Sequence, residues 1–191
     1  MALRNIVIDG DPILNKKSRA VTRFDDRLAV LIDDMIETMN DADGLGLAAV
    51  QVGVLRRIVI VRDGEEILEL VNPEITDTSE ENQCGPEGCL SFPGESAVVE
   101  RPMTVTVKAQ DRHGETHEYT RSGLTARAFC HEIDHTNGIV FLERALPPEE
   151  EEKFWAEHED DFADYVEYEE AEETSPLLLE IDEDDLEITP E

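Results

Sequence analysis

The sequence has few basic residues: 16 lysines and arginines stand against 47 aspartates and glutamates, a formal net charge of -31. Such a charge repels phosphate backbones and anionic lipid surfaces, so we expect neither direct nucleic-acid binding nor membrane binding. The chain also lacks any apolar run of about 18 residues, and its N-terminus lacks the apolar core and small-residue cleavage site of a secretory signal. We therefore expect a cytoplasmic protein.

Cysteine is scarce as well. The three cysteines, Cys84, Cys89 and Cys130, are too few and odd in number for a disulfide framework, as is typical of a reducing compartment. A cysteine with a special role should then be a metal ligand or a nucleophile rather than half of a disulfide.

The excess of acid is unevenly distributed along the chain. Residues 145–191 contain 21 acidic residues and one lysine, a charge of -20, while the preceding 144 residues carry -11. Pro147-Pro148 marks the boundary. We therefore predict one domain over residues 1–147, an acidic C-terminal helix over 148–172 and a disordered acidic tail over 173–191.

Hydrophobic periodicity predicts two further helices and a block of strands. Apolar residues at helical spacing from Phe24 to Met39 predict a helix over 25–41, with Thr22 and Asp25 resembling a capping pair. A second helix should begin near Ser122, carry His131 to His135 and end at Asn137-Gly138. Predicted strands lie between these helices, which indicates an α+β fold: 57–61, 66–73 after an Asp63-Gly64 turn, 97–99, 104–111 and 116–121.

The strongest local signal is His131-Glu132-Ile133-Asp134-His135. Histidines four residues apart on a helix project from the same face and can bind one metal, and Glu132 can reach a water on that metal. The plain alternative is two surface histidines on an acidic helix. A catalytic site also needs a third ligand, and that ligand must come from outside the helix.

Cys89 is the candidate third ligand, in the segment Glu87-Gly88-Cys89-Leu90-Ser91. A thiolate beside two imidazoles suits zinc or ferrous iron. Cys84 competes with it, although an ordinary loop thiol is the simpler interpretation there. Cys130 points about 100° away from His131 on a helix and is expected in the core.

A glycine-rich stretch, Gly44 to Gly53, is the third feature. Its small residues allow close backbone approach, and it lacks the Lys-Ser/Thr ending of a phosphate-binding loop. Gln51 is the single polar side chain in an apolar run, so it is either a satisfied core amide, which the run favours, or an oxyanion donor.

Taken in order, these three segments resemble the signatures of the peptide deformylase family: Gly44 to Gln51, Glu87 to Ser91 and His131 to His135. Gly10 to Leu14 and Asp111 to Gly114 also look like the family, so the resemblance covers about residues 5–145. The resemblance implies antiparallel strands packed around a central metal-binding helix. It also implies that residues 1–147 are the catalytic domain.

The resemblance also implies roles for individual residues. Cys89, His131 and His135 would bind one divalent metal, with Fe²⁺ favoured and Zn²⁺, Ni²⁺ or Co²⁺ able to replace it. Glu132 would be the acid/base, and the Gln51 amide and Leu90 backbone N–H would stabilise the oxyanion during removal of the formyl group from N-terminal formyl-methionine. The expected peptide-contact residues are Leu45, Gly46, Gly88 and Phe92.

Formylated nascent peptides are accordingly the expected partners, in proximity to the ribosome. The sequence departs from many relatives at Val50, where proline is common, and at Ser96, where several have arginine. It also lacks the basic C-terminal helix through which some deformylases dock on the ribosome. A zinc endopeptidase and a non-catalytic metal-stabilised binding protein remain as rivals, and Cys89 and Glu132 respectively distinguish them from a deformylase.

Overall fold

The computed structural model describes residues 2–158. Residues up to Glu151 form one compact unit, and a second unit begins at Glu152. Within the described residues the strands are antiparallel and follow one another between two α-helices, which confirms the predicted α+β class.

Helix α1 spans Asp26–Asp41. The Asp25 side chain accepts the backbone N–H groups of Arg27 and Leu28, so Asp25 alone caps the helix and the predicted pairing with Thr22 is wrong. The apolar stripe is buried, as its spacing predicted, through Leu28, Ile32, Met35 and Met39.

A five-stranded antiparallel sheet forms most of the β structure. Its strands are β1 (Gly46–Ala48), β2 (Ile58–Asp63), β3 (Glu66–Thr78), β6 (Thr104–Gln110) and β7 (Thr116–Ser122), arranged in the order β1-β2-β3-β6-β7. The β2–β3 hairpin turns where Asp63-Gly64 predicted it, with Gly64 at φ 63°. Strand β1 lies at one edge, so one side of its backbone is unpaired within this sheet.

Strands β4 (Asn82–Cys89) and β5 (Phe92–Pro102) form a separate two-stranded sheet. The sequence predicted only 97–99 of β5 and none of β4. Gly85, Pro86 and Gly88 give β4 a poor intrinsic strand propensity, and its conformation comes from antiparallel pairing with β5. The register shifts between Gly88 and Cys89, so Cys89 leaves the regular ladder at the end of the strand.

Helix α2 spans Leu124–Asn137 and lies against strands of both sheets. It ends at Gly138, as predicted, in the left-handed conformation at φ 77°. A Cβ at Gly138 would also stand 2.7 Å from the Asn15 carbonyl oxygen, so glycine is required there for space as well as for conformation. The buried face of α2 includes Ala126, Phe129, Cys130 and Ile133, which confirms Cys130 as a core residue.

Helix α3 spans Pro148–His158. This is the beginning of the acidic helix predicted over 148–172; residues 159–172 and the predicted tail, 173–191, lie outside the described residues. None of the helices in residues 2–158 is both long and apolar enough to cross a membrane.

Candidate metal centre

The three sequence signatures meet in space. A Cβ at Gly44 would stand 2.9 Å from the Leu90 side chain, and one at Gly46 would stand 2.6 Å from the Glu132 carboxylate. The Cys89 Sγ atom lies 3.3 Å from the His135 Nε2 atom. The glycine-rich segment therefore contacts the other two signatures at positions that only glycine can occupy without displacing a neighbour.

The N-terminal segment that contains Val7 and Asp9 connects the glycine-rich signature to the Cys89 signature through two backbone hydrogen bonds. The Val7 N–H donates to the Gln51 carbonyl and the Asp9 N–H donates to the Ser91 carbonyl, both at 2.8 Å. These backbone bonds fix the glycine-rich segment and the Cys89 segment relative to one another.

The three expected ligands converge in one cluster. His131 and His135 lie one turn apart on α2, with ring centroids 5.0 Å apart, and Cys89 approaches from the end of β4. One ligand atom from each residue lies within 4.8 Å of the others. A thiolate and two imidazoles at this spacing fit one zinc or one late first-row metal ion, so these three residues form the candidate metal site.

Glu87 orients His131. Its Oε2 lies 2.9 Å from the His131 Nδ1 atom, so Nδ1 can donate to the carboxylate while Nε2 remains for a metal. Arg101 donates to both oxygens of Glu87, and Arg127 donates to Oε1. Burial alone would raise the pKa of Glu87, but the hydrogen bonds from His131 and Arg101 lower it to about 2. Glu87 is therefore a fixed anion behind the site.

The electrostatics of the two histidines differ. Burial opposes protonation of His131, yet Cys89 and Glu87 raise its pKa above the ordinary value. Burial and the charge of His131 lower the pKa of His135. The His135 Nδ1 atom is buried and has no hydrogen-bond partner among residues 2–158. Protonation is therefore favoured at His131 and disfavoured at His135, and a divalent cation that bound the His131 ring nitrogen would displace a proton from it.

Glu132 lies beside this cluster and is almost fully buried. Burial is the main reason that its pKa is raised to about 7. Its Oε2 has no hydrogen-bond partner within the described chain. A buried carboxyl group with a pKa near neutrality can both accept and return a proton.

The Gln51 side chain is hydrogen-bonded at both ends, as expected of a satisfied core amide, and its amide nitrogen lies next to Cys89. It is buried, and its Oε1 accepts the Ala48 N–H at 2.8 Å, which satisfies the carbonyl end. Its Nε2 faces the site, 3.5 Å from the Cys89 Sγ and 3.3 Å from the Ser91 hydroxyl. The Gln51 side-chain amide thus points its donor at Cys89, the candidate metal ligand.

The residues expected to contact the peptide are distributed around the centre. Leu45 is half-buried just before β1, and Gly46 begins that edge strand. Gly88 is exposed beside Cys89. Phe92 is buried edge-to-face against Phe141, whose ring stacks on His131.

Cys84, the competing cysteine, is exposed on β4, and its Sγ lies 3.8 Å from Glu100. A second group with ligand-like spacing, Asp111, Glu115 and His117, lies at the β6–β7 turn. There Asp111 accepts the His113 and Glu115 N–H groups and contacts His117. Hydrogen bonding within the turn therefore explains why these three side chains lie close together.

Sequence reasoning missed the residues behind the ligands. Glu87 was recognised only as part of a signature, and Arg101, Arg127 and Phe141 were not singled out. One signal was available in the sequence: Arg127 is a charged residue four positions before His131 in an otherwise apolar stretch. A charge in such a place is expected to have a buried partner.

Comparison with known proteins gives the same family as the signatures. The family profile described as polypeptide deformylase matches residues 3–151. The peptide deformylase of Alkaliphilus metalliredigens is 51% identical over 146 residues, covering 76% of this chain and 99% of the relative. That of Lachnoclostridium phytofermentans is 53% identical over 147 residues, covering 75% and 90%.

Solved structures agree. The crystal structure of peptide deformylase from Thermotoga maritima matches with a TM-score of 0.75 and 41% identity, over 77% of this chain and all of the other. The Met-Ala-Ser-bound class I type b peptide deformylase from Acinetobacter baumannii matches with a TM-score of 0.73 and 36% identity, over 75% of this chain and 100% of the other. The chain therefore belongs to the polypeptide deformylase family, the enzymes that remove the N-formyl group from nascent peptides.

Proposed function

We propose that this enzyme hydrolyses the formyl amide of N-terminal formyl-methionine at a metal site made by Cys89, His131 and His135. The observation that carries the proposal is the approach of the Cys89 Sγ to the His135 Nε2, 3.3 Å, with an atom of His131 in the same cluster. A cysteine ligand beside a His-Glu-x-x-His helix distinguishes this site from that of a zinc endopeptidase, whose third ligand is a distant Glu or His.

One divalent metal occupies the site in this proposal. Ferrous iron is favoured by the family resemblance, and Zn²⁺, Ni²⁺ or Co²⁺ fits the same donor set. When bound, the metal supplies a Lewis acid that lowers the pKa of water and polarises the formyl oxygen. The hydrogen bond from His131 Nδ1 to Glu87 would leave the other ring nitrogen, Nε2, to hold the metal.

Glu132 moves the protons of the reaction. It takes one proton from the attacking water and later delivers it to the departing amine, so that formyl peptide and water yield formate and a free N-terminus. Its pKa of about 7 suits both transfers near neutral pH. The Gly46 backbone lies so close to the Glu132 carboxyl group that a residue with a side chain at position 46 would collide with it.

The developing oxyanion is stabilised by two donors from the chain. These are the Gln51 amide and the Leu90 backbone N–H. Because the Gln51 Oε1 is already fixed by the Ala48 N–H, its Nε2 is oriented before substrate arrives. Such preorganised donors stabilise charge that appears only in the transition state.

The peptide extends along the edge of β1. The free edge of this strand can pair with the substrate backbone as an added strand, and Gly46 leaves room for it. Leu45, Gly88 and Phe92 complete the contacts, with the apolar side chains around the methionine. The relative from Acinetobacter baumannii bound to Met-Ala-Ser supports a short peptide of this kind as ligand.

We place the enzyme in the cytoplasm, where formylated nascent chains emerge from the ribosome. The first turn of α3 carries Glu149, Glu150 and Glu151, so α3 lacks the basic surface needed to dock on ribosomal RNA. Ribosome binding that is tight, sensitive to salt and lost on truncation at Pro147 would contradict this.

Formate release from formyl-Met-Ala-Ser tests the function. The full-length protein, assayed anaerobically with added Fe²⁺ or Ni²⁺, should release formate and leave the peptide bonds intact. Cys89→Ser should lose both bound metal and formate release. Cys84→Ser is the matched control, because Cys84 is an exposed thiol on the same strand, and it should retain both.

Two outcomes would contradict the proposal. Unchanged metal content in Cys89→Ser would favour the endopeptidase arrangement. Metal binding without formate release by the unaltered protein would favour a non-catalytic binding protein.

A further inference from the structure

Arg127 is a buried arginine that lies one helical turn before His131 on α2, and its side chain is 9% exposed. Residues four apart on a helix share a face, so Arg127 and His131 both reach toward β4. Both contact the same carboxylate, Glu87: Arg127 binds Oε1 at 3.0 Å and His131 binds Oε2 at 2.9 Å.

The Arg127 guanidinium also joins the two strands of the smaller sheet. Its Nη1 donates to the Gly85 carbonyl at 3.1 Å and to the Val99 carbonyl at 2.9 Å. Gly85 and Val99 are register partners in the β4–β5 pair. One side chain of α2 is therefore bonded to both strands of the sheet whose end carries Cys89.

Charge neutralisation does not require this second arginine. Arg101 already forms two hydrogen bonds with Glu87, 3.0 Å and 3.1 Å long, and it reaches Asp134 as well. Arg101 belongs to β5 and reaches α2 through Asp134, three residues after His131. Arg127 binds Glu87 from the other side of His131, four residues before it, and adds the bonds to the β4 and β5 backbone that Arg101 does not make in the contacts described.

We propose that Arg127 is a positioning residue for the metal centre, holding Glu87 in the orientation that fixes the His131 ring and holding the Cys89 strand at a constant distance from α2. The inference rests on the proposed metal site of Cys89, His131 and His135. Arg127 contacts none of these three ligands in the bonds described above and acts through Glu87 and the β4–β5 backbone.

Cobalt(II) binding to the full-length protein tests the inference. Arg127→Met should lower Co²⁺ affinity about 10- to 100-fold, as loss of a residue behind a metal ligand does. The visible absorption bands of bound Co²⁺ should also shift, because the His131 ring is no longer held in one orientation. Formate release should fall through kcat, with KM for the peptide changed little, since Arg127 lies behind the site.

Arg127→Lys should recover part of the affinity and of the original Co²⁺ spectrum, because it restores the charge and one donor. Arg144→Met is the matched control. Arg144 is a half-exposed arginine that binds Asp134 and not Glu87. This control should leave Co²⁺ affinity and spectrum unchanged.

Gly85→Val gives an independent test that removes no charge. A Cβ at Gly85 would stand 3.4 Å from the Arg127 Nη2, already at van der Waals contact, so the two γ-methyl groups of valine compete with the guanidinium for space. The Co²⁺ spectrum should shift from that of the unaltered protein, as in Arg127→Met. This variant keeps the inference testable if Arg127→Met does not fold.

If Arg127→Met folds and its Co²⁺ spectrum and affinity equal those of the unaltered protein, the inference is overturned, even if the variant is less stable. If Arg127→Met does not fold, the same result in Gly85→Val overturns it. Failure of the proposed function is a separate result: the unaltered protein would then bind no Co²⁺ that depends on Cys89.

Discussion

Two arginine–carboxylate clusters lie in different parts of the fold, and they use the same chemistry in different surroundings. The Glu87 cluster comprises Glu87, Arg101, Arg127 and His131; its carboxylate side chain is 3% exposed. The Arg112 cluster comprises Arg112, Glu69 and Asp33; there Arg112 binds Glu69 through two nitrogens, and the Glu69 side chain is 20% exposed.

What the carboxylate does beyond pairing with arginine separates the two clusters. Glu87 also binds a candidate metal ligand, His131. Glu69 binds only Arg112 in the bonds described here, and that arginine connects β3 to Asp33 of α1. The geometry of a pair therefore does not reveal its function; burial and the third partner do. The Glu87 cluster should affect chemistry, and the Arg112 cluster only stability.

The largest effect should come from Glu87→Gln. This change keeps the shape of the side chain but leaves the buried Arg127 without its anion and Arg101 with Asp134 alone, which costs about 3–5 kcal/mol of unfolding free energy. Metal affinity should fall about 10- to 100-fold, because the single amide oxygen of glutamine cannot accept from the arginines and from His131 as two carboxylate oxygens do, and the His131 ring is then no longer held in one orientation. Urea unfolding and metal titration measure the two effects. Undiminished metal affinity in Glu87→Gln would contradict the claim that the Glu87 cluster, unlike the Arg112 cluster, affects the metal site.

Alanine substitutions at one glycine near the candidate metal centre and one near the Arg112 cluster should affect activity and stability differently. Gly46→Ala places a Cβ 2.6 Å from the Glu132 carboxylate, so that carboxyl group or β1 must move. Formate release should fall about 100-fold, the cost typical of misplacing a reacting group by about 1 Å. Steady-state kinetics at matched metal content checks this.

The counterpart is Gly114→Ala in the turn next to Arg112. Gly114 has φ 85°, and a Cβ there would stand 3.2 Å from the Phe24 ring. We expect a loss of about 1–2 kcal/mol in stability from backbone strain. Metal affinity should not change; a loss of metal would show that the two regions are coupled.

Arg112→Met should be milder than Glu87→Gln. Because the cluster is partly exposed, we expect a loss of about 1 kcal/mol in unfolding free energy. The kcat value and the metal content should stay at those of the unaltered enzyme. Denaturant unfolding and formate release from the same preparation give the comparison; reduced kcat would place the Arg112 cluster among the site residues.

The smallest effect concerns pH and the Asp63–Arg121 pair. The hydrogen bond from Arg121 is the main reason that the pKa of Asp63 is lowered, so folding favours the ionised form. This contribution, about 0.5–1 kcal/mol, is fully present above the ordinary aspartate pKa and is lost as pH falls through the lowered value. Asp63→Asn should therefore be less stable than the parent at pH 7, with the difference shrinking at acid pH. A difference that did not depend on pH would contradict it.

Local patterns in the sequence were enough to predict α1, α2 and the β2–β3 turn, because helical periodicity and turn residues act over a few positions. The candidate ligands His131 and His135 could be predicted from their spacing on α2, and Cys89 could be predicted from the recognisable segment that contains it. Strand β4 could not be predicted, since Gly85, Pro86 and Gly88 become a strand only through pairing with β5.

The Glu87 cluster was beyond sequence reasoning for a related reason. Arg101 and Arg127 come from β5 and α2, and they meet Glu87 from positions 14 and 40 residues away along the chain. No local hydrophobic periodicity in the sequence predicts a contact between residues so far apart along the chain. The contact between Gly46 and Glu132 is likewise long-range, and a sequence reveals only that glycine is present there.

Formate release by Glu132→Gln, measured with bound metal quantified in the same sample, tests the central claim most directly. The account predicts metal content equal to that of the unaltered enzyme and a fall in kcat of about 100-fold or more, the contribution typical of a general acid/base. Formate release at the rate of the unaltered enzyme would contradict it, because Glu132 could not then be the group that moves the proton.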